Sequence, residues 1–193
     1  MTFWQKLLRT FNLSPSSRRG AVAVGVSSSE SGLDALLRDP VTDLFNRKHL
    51  IYRMTALMSQ VDRNHESLAV VLWDIDGFVD FNNQFGQHEG DQFLKKVADA
   101  IRGSLRTYDE AFRVGGDEFC ALLMPAKDKL AHDVMDRVRT TVEQNVLASN
   151  EQYKGRTFSI SSGVVFYPGD NKLPQALLHA AQQELYKNRR SRV

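Results

Sequence analysis

"FRVGGDEFCALLM", residues 112–124, sets two glycines between two apolar runs of strand length and follows them at once with two carboxylates. Strand, Gly-Gly, strand is the pattern of a β-hairpin, and a two-residue Gly115-Gly116 loop suits the positive φ that both turn positions require. Glycine there also lets a phosphate approach the backbone without meeting a Cβ. Asp117 and Glu118 then fall at the hairpin tip. A bare turn has no need of that much charge beside a buried strand, so the acids need a reason of their own.

A second acidic strand end lies upstream. The apolar run "SLAVVLWD", residues 67–74, leads into "WDID", and because side chains alternate along a strand, Asp74 and Asp76 face one side and Ile75 the other. If the two strands are neighbours, three or four carboxylates converge. Such a cluster repels itself unless a cation neutralises it, and oxygen donors with no His or Cys nearby favour Mg²⁺ over zinc or copper. Mg²⁺ in turn implies a polyphosphate. Against this stands the plainer reading of an acidic strand end as a solvated edge. Cys120 is the one cysteine; it excludes an intrachain disulfide, reads as a buried, inert thiol within "EFCALLM", and suits a reducing cytoplasm.

Further out, Leu50, Ile51, Met54, Leu57, Met58 and Val61 mark one helix, and Phe93, Leu94, Val97, Ala98, Ile101 and Leu105 a second. Leu130, Val134, Val138, Val142 and Val146 mark a third, "RTFSISSGVVFY" at 156–167 a further strand, and residues 173–186 a last helix. Helices alternating with buried strands, plus one tight hairpin, predict an α+β fold: a mixed sheet covered by helices. Residues 14–32 are dominated by Ser, Gly and small side chains and read as a flexible linker, so the folded domain is expected over 33–193. Ahead of the linker, Phe3, Trp4, Leu7, Leu8 and Phe11 recur at helical spacing and predict a short amphipathic helix over 1–13, with a basic polar side, fit to dock on a membrane surface or a protein partner; equally, so short a helix is marginal in water and frays.

No apolar run approaches the roughly 18 residues of a membrane span, and no charged segment followed by a continuous apolar one opens the chain, so neither a span nor secretion is expected. The net charge of +2 over 193 residues conceals +4 ahead of Glu30, +4 over residues 187–193, and −6 between them. A nucleic-acid-binding surface would show a basic stripe inside the domain, so no nucleic acid is expected as a partner.

The motifs together resemble the GGDEF family of diguanylate cyclases, which condense two GTP into cyclic di-GMP and two pyrophosphates. "GGDEF" at 115–119 is similar to the motif that names the family, "DPVTDLFNR" at 39–47 to its D-x-L-T-G-L-x-N-R opening, and "DIDGFVDFNNQFGQHEGD" at 74–91 to D-x-D-x-F-K-x-x-N-D-x-x-G-H-x-x-G-D. "SISSG" at 159–163 and "LY" at 185–186 fall at the expected places, and the resemblance runs from about Asp39 to the C-terminus. It implies a nucleotide-cyclase-like, palm-type sheet with a catalytic hairpin. It implies that Asp74, the Ile75 carbonyl and Asp117 hold Mg²⁺ or Mn²⁺, with Asp117 or Glu118 helping to deprotonate the attacking 3′-hydroxyl. Gly115, Gly116 and Arg189 would meet the phosphates, and Asn82 and Asp91 would read guanine, a carboxylate accepting from the N1-H and N2-H₂ that adenine lacks. "RTYD" at 106–109 has the R-x-x-D form of the family's inhibitory product site, which implies that Arg106 and Asp109, assisted by Arg113, bind cyclic di-GMP. It implies a homodimer in the active state, each subunit presenting one GTP; the single thiol suits the cytoplasm, and the short helix over 1–13 would let the chain sit at the inner face of the membrane.

Several family positions differ. Val79 stands in place of a phosphate-facing Lys, Asn83 of Asp, Gln87 of His, Gln182 of Asp, Asp43 of Gly, Arg189 of Lys and Val193 of Arg. Two lost cations remove charge-assisted contacts of about 1.5–3 kcal/mol each where buried. Two functions are therefore open: a working cyclase, and a noncatalytic module that binds cyclic di-GMP or GTP and signals to a partner.

Overall fold

β2 (Leu68–Asp76) explains the architecture, because its apolar run is continuous rather than alternating. Both of its faces are covered. Ala69, Val71, Trp73 and Ile75 enter one cluster with Phe78, Phe81, Phe93, Val97, Ile101 and Val134, while Leu68, Val70 and Leu72 enter a second with Leu50, Met54, Val61, Leu177, Leu178 and Leu185. A strand buried on both sides needs apolar residues at every position. A computed structural model describes residues 35–147, 151–153 and 159–190 of the chain.

The elements run β1 (Phe45–Asn46), α1 (Arg47–Asn64), β2, α2 (Phe78–Phe85), α3 (Gln87–Ser104), β3 (Glu110–Gly115), β4 (Glu118–Leu123), α4 (Asp128–Thr140), β5 (Ser159–Tyr167) and α5 (Pro174–Arg190). Among the described residues the strands form one sheet in the order β1-β3-β4-β2-β5. β2 is antiparallel to both neighbours, β3 and β4 form the hairpin, and β1 lies parallel to β3, so the sheet is mixed as expected. α2, α3 and α4 cover one face; α1 and α5 cover the other.

Local signals set the ends. The Asn46 side chain accepts from the His49 N–H at 3.1 Å and starts α1, which ends at His65 in the left-handed region (φ 55°). α5 lies so close to β5 that a Cβ at Gly163 would stand 2.3 Å from the Leu185 nitrogen and 2.9 Å from the Ala181 carbonyl.

The hairpin differs from the expected Gly-Gly loop by one residue. Gly115 pairs with Glu118, so the turn is Gly116–Asp117, and a bulge between Arg113 and Gly115 absorbs the difference. Gly116 takes φ 53°, whereas Gly115 is close to extended at φ 159°. α2 and β1 were not expected. α2 has only 8 residues, and its aromatic stripe, Phe78 and Phe81 stacked on Phe93, lies inside a motif dominated by polar residues. α4 is regular to Thr140 and widens into a π-helical turn over Thr141–Leu147, which keeps Val142 buried. The helix expected over 1–13, the linker over 14–32 and Val193 lie outside the described residues. Among the described residues no helix is long and apolar enough to cross a membrane.

Candidate active site

Strand parity gathers the acids on one face. Asp74 stands opposite Glu118 in the β2–β4 ladder, on the side of Leu72 and Cys120 rather than of Trp73 and Phe119. This is the side that α5 covers. The turn closes onto β2 through the Ile75 N–H, which donates to the Asp117 carbonyl at 3.4 Å. From α5, Arg189 Nη1 donates to Asp74 Oδ1 at 2.7 Å, Arg189 Nε meets Asp76 Oδ1 at 2.9 Å, and Gln182 Nε2 reaches both Glu118 oxygens at 3.4 Å. Asp76 also accepts from the hydroxyls of Ser159 and Ser161 on β5. Its carboxylate is thus held on two sides.

Asp74 is 9% exposed. Burial, then the Asp117 charge, push its pKa up to about 6; the Arg189 guanidinium opposes them, and Asp76 and Glu118 add to the rise. A cleft of about 600 Å³ opens over the group, lined by Asp74, Glu118, His179, Gln182, Tyr186 and Arg189. Among the described residues no three His, Cys, Asp or Glu side chains stand as one metal-holding group; Arg189 bridges Asp74 and Asp76. In chemistry, however, the donors fit a hard divalent cation: all are oxygens, and the Asp117 charge bears on Asp74.

The other expected residues fall in two further places. Asn82 on α2 presses its carboxamide against Gly90 on α3, where a Cβ would meet Asn82 Oδ1 at 1.8 Å. That oxygen is buried and has no hydrogen-bond partner. Asp91, next along α3, is half-buried. Arg106 and Asp109 share the turn between α3 and β3: Asp109 Oδ2 accepts from the Arg106 N–H at 3.0 Å, and Arg106 Nη1 donates to the Tyr108 hydroxyl at 3.0 Å. Burial raises the Asp109 pKa despite that hydrogen bond. With Arg38, Arg102 and Glu110 they line a hollow of about 410 Å³.

Arg113, expected to assist there, lies elsewhere. Its side chain is 12% exposed and bonds the Gly116 carbonyl and Asp39. Val79 is 69% exposed on the first turn of α2. Asp43 holds the left-handed conformation (φ 57°) at the position where the family has glycine, a conformation that Asp tolerates better than most residues. Sequence reasoning missed the part played by Ser159 and Ser161. Their spacing of two along a strand, matching that of Asp74 and Asp76, is the signal that would have found it.

A mixed sheet whose adjacent central strands end in facing carboxylates, beside a glycine turn, is a nucleotide-cyclase-like domain. The family described as diguanylate cyclase, GGDEF domain, matches residues 36–192, and the chain belongs to it. YhcK of Bacillus subtilis is 35% identical over 152 residues, covering 77% of this chain and 42% of that protein. The diguanylate cyclase TpbB of Pseudomonas aeruginosa is 33% identical over 149 residues, covering 77% of this chain and 34% of TpbB. Among solved structures, the diguanylate cyclase SiaD of Pseudomonas aeruginosa, in complex with its activator SiaC, matches with a TM-score of 0.73 at 28% identity, covering 97% of this chain and 65% of that one. The chain thus spans less than half the length of these two curated relatives.

Proposed function

We propose that the chain is a diguanylate cyclase that condenses two GTP into cyclic di-GMP and two pyrophosphates. The observation that carries this reading is Asp74, a buried carboxylate whose ionisation is opposed by burial and by Asp117, so that a cation is favoured beside it. Mg²⁺ or Mn²⁺ would be held by Asp74, the Ile75 carbonyl and Asp117, and when bound offsets the charge that develops at an α-phosphate. Asp117 or Glu118 takes the proton of the attacking 3′-hydroxyl; the new bond forms from that oxygen to the α-phosphorus, and pyrophosphate leaves. Gly115 and Gly116 leave room for the phosphates, since added Cβ atoms there would meet nothing within 4 Å, so the turn presents open backbone. Arg189, paired with Asp74 and Asp76 in the structure, would exchange those carboxylates for the terminal phosphates once a metal cation is held there. Two subunits facing each other let each 3′-hydroxyl attack the partner nucleotide, and the hollow at Arg106 and Asp109 takes the product.

Asn82 and Asp91 read guanine in this scheme, and the unpartnered Asn82 oxygen supports it. Gly90→Ala should displace the Asn82 carboxamide, whose oxygen an added Cβ would meet at 1.8 Å, and press lightly on the Phe78 ring at 3.3 Å. GTP affinity is then expected to fall roughly tenfold, about the loss of one buried hydrogen bond, while the melting temperature moves by only about 2 °C. Titration with a fluorescent GTP analogue and a thermal melt would check both, and unchanged affinity would count against Asn82 as a reader.

Incubation with GTP and Mg²⁺, followed by an assay for cyclic di-GMP, tests the whole reading. Product is expected from the wild type and not from Asp117→Ala. The noncatalytic alternative draws on the exposed Val79 where the family carries a cation. Tight cyclic di-GMP binding with no turnover would favour it.

A further inference from the structure

The loop that leads into α1 reaches the hairpin turn directly. Asp39 Oδ1 accepts from the Thr42 N–H at 2.8 Å, from the Thr42 hydroxyl at 2.7 Å and from Arg113 Nη1 at 2.9 Å. Arg113 then donates through Nε at 3.0 Å and Nη2 at 2.7 Å to the carbonyl of Gly116. Gly116 is the first residue of the turn, and the next, Asp117, gives its carbonyl to the Ile75 N–H. The peptide before Asp117 is therefore gripped from β3, and the peptide after it is seated on β2.

The loop is itself fixed. Asn46 Nδ2 donates to the Leu36 carbonyl at 2.8 Å, the Asn46 N–H to the Leu37 carbonyl at 2.7 Å, and Arg38 bridges to Phe45. Phe45 and Asn46 run parallel to Phe112 and Arg113, so the loop and the ion pair grip the same stretch of β3. Burial would raise the Asp39 pKa, yet hydrogen bonds from Arg113 and Thr42 hold it below the usual carboxylate value. A left-handed glycine with open space around it has many conformations available, and the forked, charge-assisted contact to its carbonyl selects one of them.

We propose that Asp39 and Arg113 are positioning residues of the catalytic turn, and that the state of the loop over residues 36–46 reaches Asp117 through their ion pair. The effect on turnover rests on the cyclase reading; the hold on the turn does not. Arg113 then belongs to the turn rather than to the product site, since Nε, Nη1 and Nη2 are all engaged.

Asp39→Asn, Asp39→Glu and Arg113→Lys, made in the full chain, test this against Arg53→Gln. Arg53 forms a comparable half-buried fork with Glu110, on the same strand as Arg113 but away from the turn. Amide hydrogen exchange over residues 115–118, measured without nucleotide, is expected to quicken about tenfold or more in Asp39→Asn and Arg113→Lys. It should be unchanged in Arg53→Gln, and Asp39→Glu, which keeps the charge, should recover part of the protection. With GTP, Asp39→Asn is expected to lower kcat roughly 10²-fold, the scale of a misplacement of about 1 Å, and to leave KM within about threefold. Unchanged exchange in Asp39→Asn, equal quickening in Arg53→Gln, or a rise in KM alone would overturn the inference. A wild type that makes no cyclic di-GMP would remove the cyclase reading, and exchange would then decide the positioning role by itself.

Discussion

Asp74→Asn is expected to cut cyclic di-GMP formation by at least about 10²-fold, the usual loss when one charge-stabilising group leaves a phosphoryl-transfer site, without lowering the melting temperature at neutral pH. The two halves have one cause. Asp74 is set where burial and Asp117 oppose its charge, so the fold is strained electrostatically by the group that the proposed cyclase chemistry would use. The pH dependence follows. Its folded pKa, about 6, lies above the ordinary 3.8, so the native state holds more protons than the unfolded chain between these values. Stability present below the lower value is lost as pH rises through the upper one. Asparagine has no such loss, so the melting temperature of the variant relative to the wild type should climb from about pH 4 to about pH 6 and then level. Wild-type Mn²⁺ affinity should fall as pH drops through about 6, because a protonated Asp74 no longer offers a charge. Thermal melts and Mn²⁺ titrations over that range are the measurements; a variant several degrees less stable than wild type at pH 7 would contradict the account.

Gly163→Ala is expected to have the largest effect on the fold. The added Cβ would fall 2.3 Å from the Leu185 nitrogen, 2.7 Å from its Cα and 2.9 Å from the Ala181 carbonyl, all backbone of α5, so no side chain can turn aside. The helix must lift from the sheet. Overpacking of this kind costs about 3 kcal/mol, roughly 6–12 °C in melting temperature for a domain of this size. Gln182 and Arg189 ride on the same helix, so the variant should also lose their contacts with Glu118 and Asp74. Differential scanning calorimetry would show the first loss; a melting temperature within about 2 °C of wild type would mean that α5 yields more easily than its backbone contacts suggest.

Much of this was legible in the sequence because it depended on local period. The apolar run before Asp74, the hairpin pattern around Gly115 and Gly116, and the spacing of two between Asp74 and Asp76 are properties of neighbouring residues, and the sheet keeps them. The one-residue shift of the turn was not legible, since a bulge answers to the pairing of Gly115 with Glu118 across the hairpin. α2 was hidden because three phenylalanines in 8 residues were read within a polar motif rather than as a helix face. Gly163 reads in the sequence only as part of "SISSG"; its reason lies 22 positions away in the backbone of Leu185, which no local pattern reports. Arg113, seven residues after Arg106, is expected from the resemblance to assist in binding cyclic di-GMP. Its tie to Asp39, 74 residues earlier, appears only once β1 is laid beside β3.

Odd and even positions of β2 and β4 do different work: one set fills the interior beneath α2, α3 and α4, while the other ends in the acids under α5. An amino acid inserted or deleted midway along either strand would exchange the two sets, burying a carboxylate among phenylalanines and turning Trp73 or Phe119 outward under α5. The domain should therefore drift freely in the identity of its helix-surface residues through evolution while the lengths of these two strands stay frozen.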